Sequence, residues 1–345
     1  MKVSISLIFI LYLSGFCNSQ LLPVNLNLNS NTRLSINLDL EGEWSTYKRV
    51  FNKFYLLRNI ETRRRVNFMM NFMAVEEHNR LYASGLVTYR ISINPFSDMS
   101  RQEFVSWYCG TKPEDDDEAR VKRQTVSSVT SVPNQWDIRV NGPGQLTPVK
   151  DQLQCGSCWA FSVTSAIENV ISFKTGQTPV HLAEQQKVDC VYSRDGCQGG
   201  WFTTAYDYVK NVGLTTNVNY PYKGVYGRCR AANFAGKTKI LGFTRLADDV
   251  TTIKNRIMTK GACAVCVDAS YWHLYQSGVY SDSRVSNGCN HGVVLVGWGT
   301  DTATKMDYWL ILNSWGASWG EQGYIRVATN GTGGIRTDYV YCPDV

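Results

Sequence analysis

Eleven cysteines are spread along the 345 residues of this chain. An odd number cannot all be paired, so at least one thiol stays free in any fold the chain adopts. The count is high for a reducing cytosol and suits an oxidising compartment. The first residues agree. Lys2 precedes an apolar run from Val3 to Phe16, closed by Cys17, Asn18 and Ser19. A charged start, a short apolar core and a small polar end form a secretory signal pattern, expected over residues 1–19. The run is shorter than the ~20 residues a membrane-spanning helix needs, so no stable membrane insertion is expected. Lysosomal and extracellular destinations both remain open. Hydrophobic residues make up 43% and charged residues 19%, enough to bury a core. The net charge of +6 comes without a basic tract, which argues against a nucleic-acid partner.

Beyond the signal, residues 21–40 alternate Asn with Leu and read as an exposed linker. From Glu43 to Gly85 the pattern is helical: Phe51, Phe54, Tyr55, Phe68, Phe72 and Val75 recur at three- and four-residue spacing. Ile91–Phe104 reads as a short extended stretch and then a helix start. Lys112–Arg123 is acidic, contains a proline and ends in a basic pair, the marks of an exposed boundary open to proteolysis. After Val132, Tyr, Trp, Gly and Cys become frequent. Trp159–Lys174 reads as a helix stopped by Gly176. Ala262–Val267, Gly292–Val296, Tyr308–Leu312 and Tyr324–Val327 read as buried strands. This part is therefore α+β, with helix first and sheet later.

Four histidines serve the whole chain. His78 lies on the charged early helix, His181 precedes a helix start, and His273 sits among aromatics. His291 opens an apolar strand, with Gly292 leaving space beside it and Asn313-Ser-Trp-Gly316 following. Cys158 opens the long helix, where free N–H groups and the helix dipole favour a thiolate. An imidazole that takes its proton leaves an activated nucleophile. Asn313 has the carbonyl to orient that imidazole, and Trp315 the bulk to shield the bond from water. Gln152 has an amide that, with the Cys158 backbone N–H, would hold an oxyanion. A thioredoxin-like dithiol at Cys155-Gly-Ser-Cys158 is the competing reading, but it has no use for Gln152, His291 or Asn313. A zinc site would need a second ligand pair at suitable spacing, which the chain lacks. No metal and no cofactor are expected.

The runs around Cys158 (QLQCGSCWAFS), Gly196–Gly200 (GCQGG), His291 (NHGVVLVGWG) and Asn313 (YWLILNSWGASWG) resemble, in this order, the papain-like cysteine peptidases. His291 and Asn313 lie 133 and 155 residues after Cys158, against the ~130–150 usual there. The earlier part resembles that family's inhibitory propeptide. Arg64, Phe68, Asn71, Val75 and Asn79 match its helical motif, with Ile60 where Glu is usual, and Asn94, Phe96 and Asp98 match its second motif. The helical motif points to the cathepsin L-like branch.

The resemblance implies a two-lobed fold, one lobe helical and one β-barrel-like, preceded by a helical propeptide. The expected borders are 20–124 for the propeptide and 125–345 for the peptidase, with maturation between Arg123 and Val132. It implies a monomeric cysteine endopeptidase made as a zymogen, acting on proteins and peptides, with its propeptide lying reversed in the cleft until acid loosens it. Cys158 becomes the nucleophile, His291 the acid/base, Asn313 its orienter and Gln152 the oxyanion donor. Gly199 and Gly200 would pair with the substrate backbone. Trp201, Phe202, Cys266, Gly292 and Tyr339 would line the pocket for the side chain two positions before the cut, and their character implies an apolar preference. Leu153 departs from the usual glycine after the oxyanion donor, which implies a stiffer loop. The implied disulfides are Cys155–Cys197 and Cys190–Cys229, with Cys342 the candidate partner of Cys289. Cys263 and Cys266 stand an odd step apart on a strand and should face opposite ways. Asn330 begins an N-x-[ST] triplet open to glycosylation. A catalytically silent binding protein and a Cys–His acyltransferase are the other classes; the complete Cys, His, Asn and Gln set disfavours the first, and the inhibitor-like leader disfavours the second.

Overall fold

The computed structural model describes residues 30–114, 123–124 and 131–345. The expected signal segment and most of the expected Lys112–Arg123 boundary lie outside the described residues. The chain divides into two compact units, Met1–Val50 and Phe51–Val345. In the first, helix α1 spans Ser30–Val50. It starts inside the stretch that the sequence reads as a linker. Leu40, Trp44 and Tyr47 recur at helical spacing, a register that the Asn–Leu alternation before them disguises.

In the second unit, α2 spans Arg58–Ala83 and buries Arg64, Phe68 and Val75 on one face. The helical pattern is not continuous from residue 43, because Asn52 turns into the left-handed region. Strand β1 (Tyr89–Ile91) and helix α3 (Arg101–Tyr108) follow. Ser100 caps α3 by accepting from the Glu103 N–H. The Glu103 carboxylate receives the Arg64 guanidinium as a fork, at 3.0 and 2.6 Å. Asn71 donates to the Ser97 and Met99 carbonyls, and Asn79 to that of Ile91. The polar residues of the helical motif thus tie α2 to the segment behind it.

Then come β2 (Arg123–Gln124), β3 (Trp136–Asp137), α4 (Ile138–Asn141), α5 (Cys158–Thr175), α6 (Glu184–Cys190) and α7 (Phe202–Asn211). The rest is β4 (Gly242–Leu246), α8 (Val250–Lys260), β5 (Cys263–Val267), β6 (Tyr275–Tyr280), β7 (His291–Thr300), β8 (Asp307–Leu312), β9 (Tyr324–Ala328) and β10 (Ile335–Asp344). The strands pair in the order β1-β6-β9-β8-β7-β5-β10-β4-β2, with β3 also on β7. Each strand expected from the sequence after residue 260 is present, with ends shifted by at most four residues.

Two main cores result. One joins α5 and α7 through Trp159, Ile167, Trp201, Phe202 and Tyr206. The other lies on the sheet, around Val265, Trp272, Leu295, Trp309, Trp315 and Trp319. Tyr89, Phe96, Met99, Phe104 and Tyr108 from the early segment are buried in this second core. That segment also extends the sheet, because β1 pairs antiparallel with β6.

Four disulfides are formed: Cys155–Cys197, Cys190–Cys229, Cys263–Cys342 and Cys266–Cys289. The expected Cys289–Cys342 bond is therefore incorrect. Strand β5 pairs antiparallel with β10, Ala264 against Tyr341, which sets Cys263 beside Cys342. Cys263 and Cys342 belong to the sheet core, and Cys266 and Cys289 to the helical one. The two cysteines of β5 do face opposite ways, and each finds its own partner.

Candidate active site

Helix α5 begins at Cys158 after the N-cap Ser157. The sulfur sits at the end of the helix where unpaired N–H groups point outward. His291 is the first residue of β7, and Asn313 follows the end of β8, its antiparallel neighbour. Adjacent strands thereby set imidazole and amide together. His291 Nε2 lies 2.8 Å from Asn313 Oδ1. That oxygen also accepts from the Ser314 N–H at 2.8 Å. This fixes the amide with its oxygen toward the ring, so Nε2 carries the proton. Nδ1 has no hydrogen-bond partner and is left for the thiol. Trp315 is stacked over the imidazole at 4.5 Å, with ring planes 29° apart, and shields the His–Asn bond from water.

Burial alone would raise the Cys158 thiol. The neighbouring His291 imidazole, then the Thr111 hydroxyl and the Gly292 N–H, outweigh burial and hold it at about 7. A thiol poised there is a nucleophile at neutral pH.

Gln152 is fully buried. Its Nε2 donates to the carbonyls of Tyr108 and Cys155, both at 2.9 Å, and its Oε1 accepts from the Ser314 hydroxyl at 2.7 Å. Ser314 thus aims the amide N–H₂ into the cleft. Tyr222 braces the same loop, donating to the Gln152 carbonyl and meeting the Ser157 hydroxyl, both at 2.7 Å. Neither Ser314 nor Tyr222 was singled out from the sequence. Ser314 adjoins Asn313, a hint that was available; Tyr222 arrives from a distant loop with no local signal.

Residues 108–112 run through this cleft. The Gly110 N–H donates to Cys158 Sγ at 3.2 Å, and Thr111 Oγ1 lies 3.1 Å from the same sulfur. Thr111 forms a parallel bridge with Gly200. Gly200 N–H meets the Gly110 carbonyl at 2.9 Å, and Lys112 N–H meets the Gly200 carbonyl at 3.1 Å. Backbone approaches backbone so closely that a Cβ on Gly199 would lie 2.4 Å from the Gly110 carbonyl oxygen. A Cβ on Gly292 would lie 2.7 Å from Thr111 Oγ1 and 2.8 Å from the Phe202 ring. Only glycine fits at either position. Trp201, Phe202 and Cys266 are fully buried together, and the half-buried Tyr339 packs edge-on against Trp201 at 5.4 Å.

Away from the cleft, Glu168, His181 and Glu184 bring donor atoms within 4.8 Å of one another, spacing suited to a metal ion. The Lys150 ammonium already bridges both carboxylates, so this group serves as an internal ion-pair network. Leu153 has φ 53°, in the left-handed region. No described helix is long and apolar enough to cross a membrane.

Comparison with known proteins gives the same picture. Residues 132–342 match the papain family cysteine protease domain, and residues 44–104 match the cathepsin propeptide inhibitor domain. A cathepsin L-like proteinase of Fasciola hepatica is 38% identical over 292 residues, 83% of this chain and 88% of that protein. Digestive cysteine proteinase 3 of Homarus americanus is 37% identical over 294 residues, 83% of this chain and 89% of that protein. The structure of digestive procathepsin L 3 from Tenebrio molitor larval midgut superposes with a TM-score of 0.78 at 32% identity, covering 89% of this chain and 99% of that one. A cleft cysteine beside a paired histidine and asparagine, a preceding segment lying against it and relatives that span both parts lead to one conclusion: this chain belongs to the papain family of cysteine proteases, as a cathepsin L-like peptidase zymogen.

Proposed function

We propose that Cys158, His291, Asn313 and Gln152 carry out endopeptidase chemistry that residues 108–112 block in the proenzyme. The Cys158 thiolate attacks a peptide carbonyl carbon. The oxyanion that forms is held by the Gln152 amide and the Cys158 N–H. His291 gives its proton to the leaving amine, and water then hydrolyses the thioester with His291 as base. Asn313 keeps the imidazole oriented through both steps.

One observation carries the reading of the cleft. The carbonyl on Gln152 belongs to Tyr108, whereas the group on the sulfur is the Gly110 N–H. A scissile peptide must present one carbonyl to both groups at once, carbon to sulfur and oxygen to amide. Segment 108–112 offers the sulfur an amide nitrogen instead, so it fills the cleft without being cut. The parallel bridge at Gly200 supports a chain direction reversed from that of a substrate.

In this reading residues 1–19 direct export, 20–124 form the propeptide, and 125–345 form a monomeric enzyme in a lysosomal or extracellular setting, with Asn330 glycosylated. Trp201, Phe202, Cys266, Gly292 and Tyr339 select an apolar side chain two positions before the cut. The test replaces Cys158 with Ala and assays processed enzyme on peptides that carry Leu, Phe, Lys or Glu at that position. Cleavage by the wild type, fastest for Leu and Phe, and none by the variant is expected. Equal cleavage by the variant would overturn the nucleophile, and equal rates for all four peptides would overturn the pocket.

A further inference from the structure

The nucleophile has a second thiol beside it. Among the described residues the only cysteines outside disulfides are Cys109 and Cys158. Cys109 belongs to the segment that fills the cleft and immediately precedes Gly110, whose N–H is 3.2 Å from Cys158 Sγ. The Cys109 Cα is two bonds from that nitrogen, which places it within about 5.6 Å of the sulfur by standard backbone dimensions. A disulfide needs the two Cα atoms about 4.4–6.8 Å apart, so the bond forms as the propeptide backbone shifts to that spacing. The two thiols differ in a useful way. Cys158 is fully buried and held at about 7. Cys109 is half-buried, and burial, together with the nearby Cys158 and Asp268, pushes its thiol well above the ordinary value.

We propose that Cys109 and Cys158 form a redox latch, a disulfide between propeptide and nucleophile made by exchange with a low-molecular-weight disulfide. This rests on residues 108–112 being the inhibitory segment. Cys109, the one that solvent reaches, attacks one sulfur of the external disulfide through the small ionised fraction of its thiol, the proton passing to water, which forms a mixed disulfide and releases one thiol. The Cys158 thiolate then attacks the Cys109 sulfur, and the second external thiol leaves. Two protein thiols are oxidised and one small disulfide is reduced to two thiols. The latched proenzyme needs a reductant as well as acid, because separating the propeptide now requires a covalent bond to break.

The experiment uses secreted proenzyme expressed from the full chain. It is exposed to oxidised glutathione, freed of excess oxidant, digested without reduction and mapped by mass spectrometry. The expected result is a cross-linked Cys109–Cys158 peptide. Acid processing of that sample should slow on the order of a hundredfold and recover with dithiothreitol, while the Cys109→Ser proenzyme, treated identically, processes at its untreated rate. Glutathione left on Cys109 with Cys158 free, or both thiols free, would overturn the latch. The peptide map reads the bond directly. A latch that fails to form while reduced, processed wild type still cleaves peptides refutes only the latch. A reduced enzyme that cleaves nothing refutes the peptidase assignment, whatever the map shows.

Discussion

The segment before residue 115 and the domain after residue 130 are held by different means. The domain carries all four disulfides, which tie loops and strands from Cys155 to Cys342. Residues 51–114 share its sheet core and a strand pairing, but no disulfide reaches them. They are held by the Arg64–Glu103 fork, by amide side chains on backbone carbonyls, and by aromatic rings packed on Trp315 and His273. A permanent catalytic frame and a removable inhibitor call for this asymmetry.

Cutting the frame should give the largest effect. Replacing both Cys263 and Cys342 with Ala frees a loop of 79 residues. The expected loss is about 4 kcal/mol in the processed enzyme, read as a lower denaturation midpoint. The fit of propeptide to cleft should change little, read as unchanged latency of the proenzyme at neutral pH.

Next is the inhibitor's own ion pair. Arg64→Ala leaves the largely buried Glu103 carboxylate without its fork, at a cost of about 3 kcal/mol. The proenzyme should become active at neutral pH while the processed enzyme keeps its stability.

His273 sharpens the contrast in a third way. Its ring is buried against Phe104 of α3 at 5.3 Å, and both ring nitrogens lack partners. Burial, then Arg101 and Arg284, lower its pKa from 6.5 to about 4. A group whose pKa is lowered by docking favours the docked state while neutral. That contribution is complete above pH 6.5 and is lost as pH falls toward 4. The distance between those two values limits it to about 3 kcal/mol. His273→Leu should move the midpoint of acid processing to lower pH; an unchanged midpoint would assign the acid response elsewhere.

Leu153→Gly should have the smallest effect. It relieves a left-handed leucine beside Gln152 and should stabilise the processed enzyme by at most about 1 kcal/mol, visible as a slightly higher melting temperature.

Much of the catalytic frame was legible in the sequence because its signals are local. The start of α5 is marked by the run around Cys158, and the site strands β7 and β8 by apolar runs. The propeptide motif of Arg64, Phe68, Asn71, Val75 and Asn79 was legible through its resemblance to the family's, and the spacing of those residues sets them along one helical face. What was not legible depends on long-range register. Cys342 meets Cys263 only because β10 lies against β5, a pairing that nothing near either cysteine announces. Tyr222 reaches Gln152 across 70 residues. The beginning of α1 was hidden by an alternation that imitates a linker. The meeting of Gly110 and Thr111 with the sulfur follows from the docking of a whole segment, not from any motif within it.

In the proenzyme as proposed here, residues 108–112 cap a reactive Cys158. This is tested most directly by the rate at which iodoacetamide alkylates that cysteine, followed by peptide mapping at neutral pH under reducing conditions, before and after the propeptide is removed. The account predicts that Cys158 reacts on the order of a hundredfold more slowly in the proenzyme than in the processed enzyme, since reaction must wait for the segment to open. Equal rates in the two forms would contradict it.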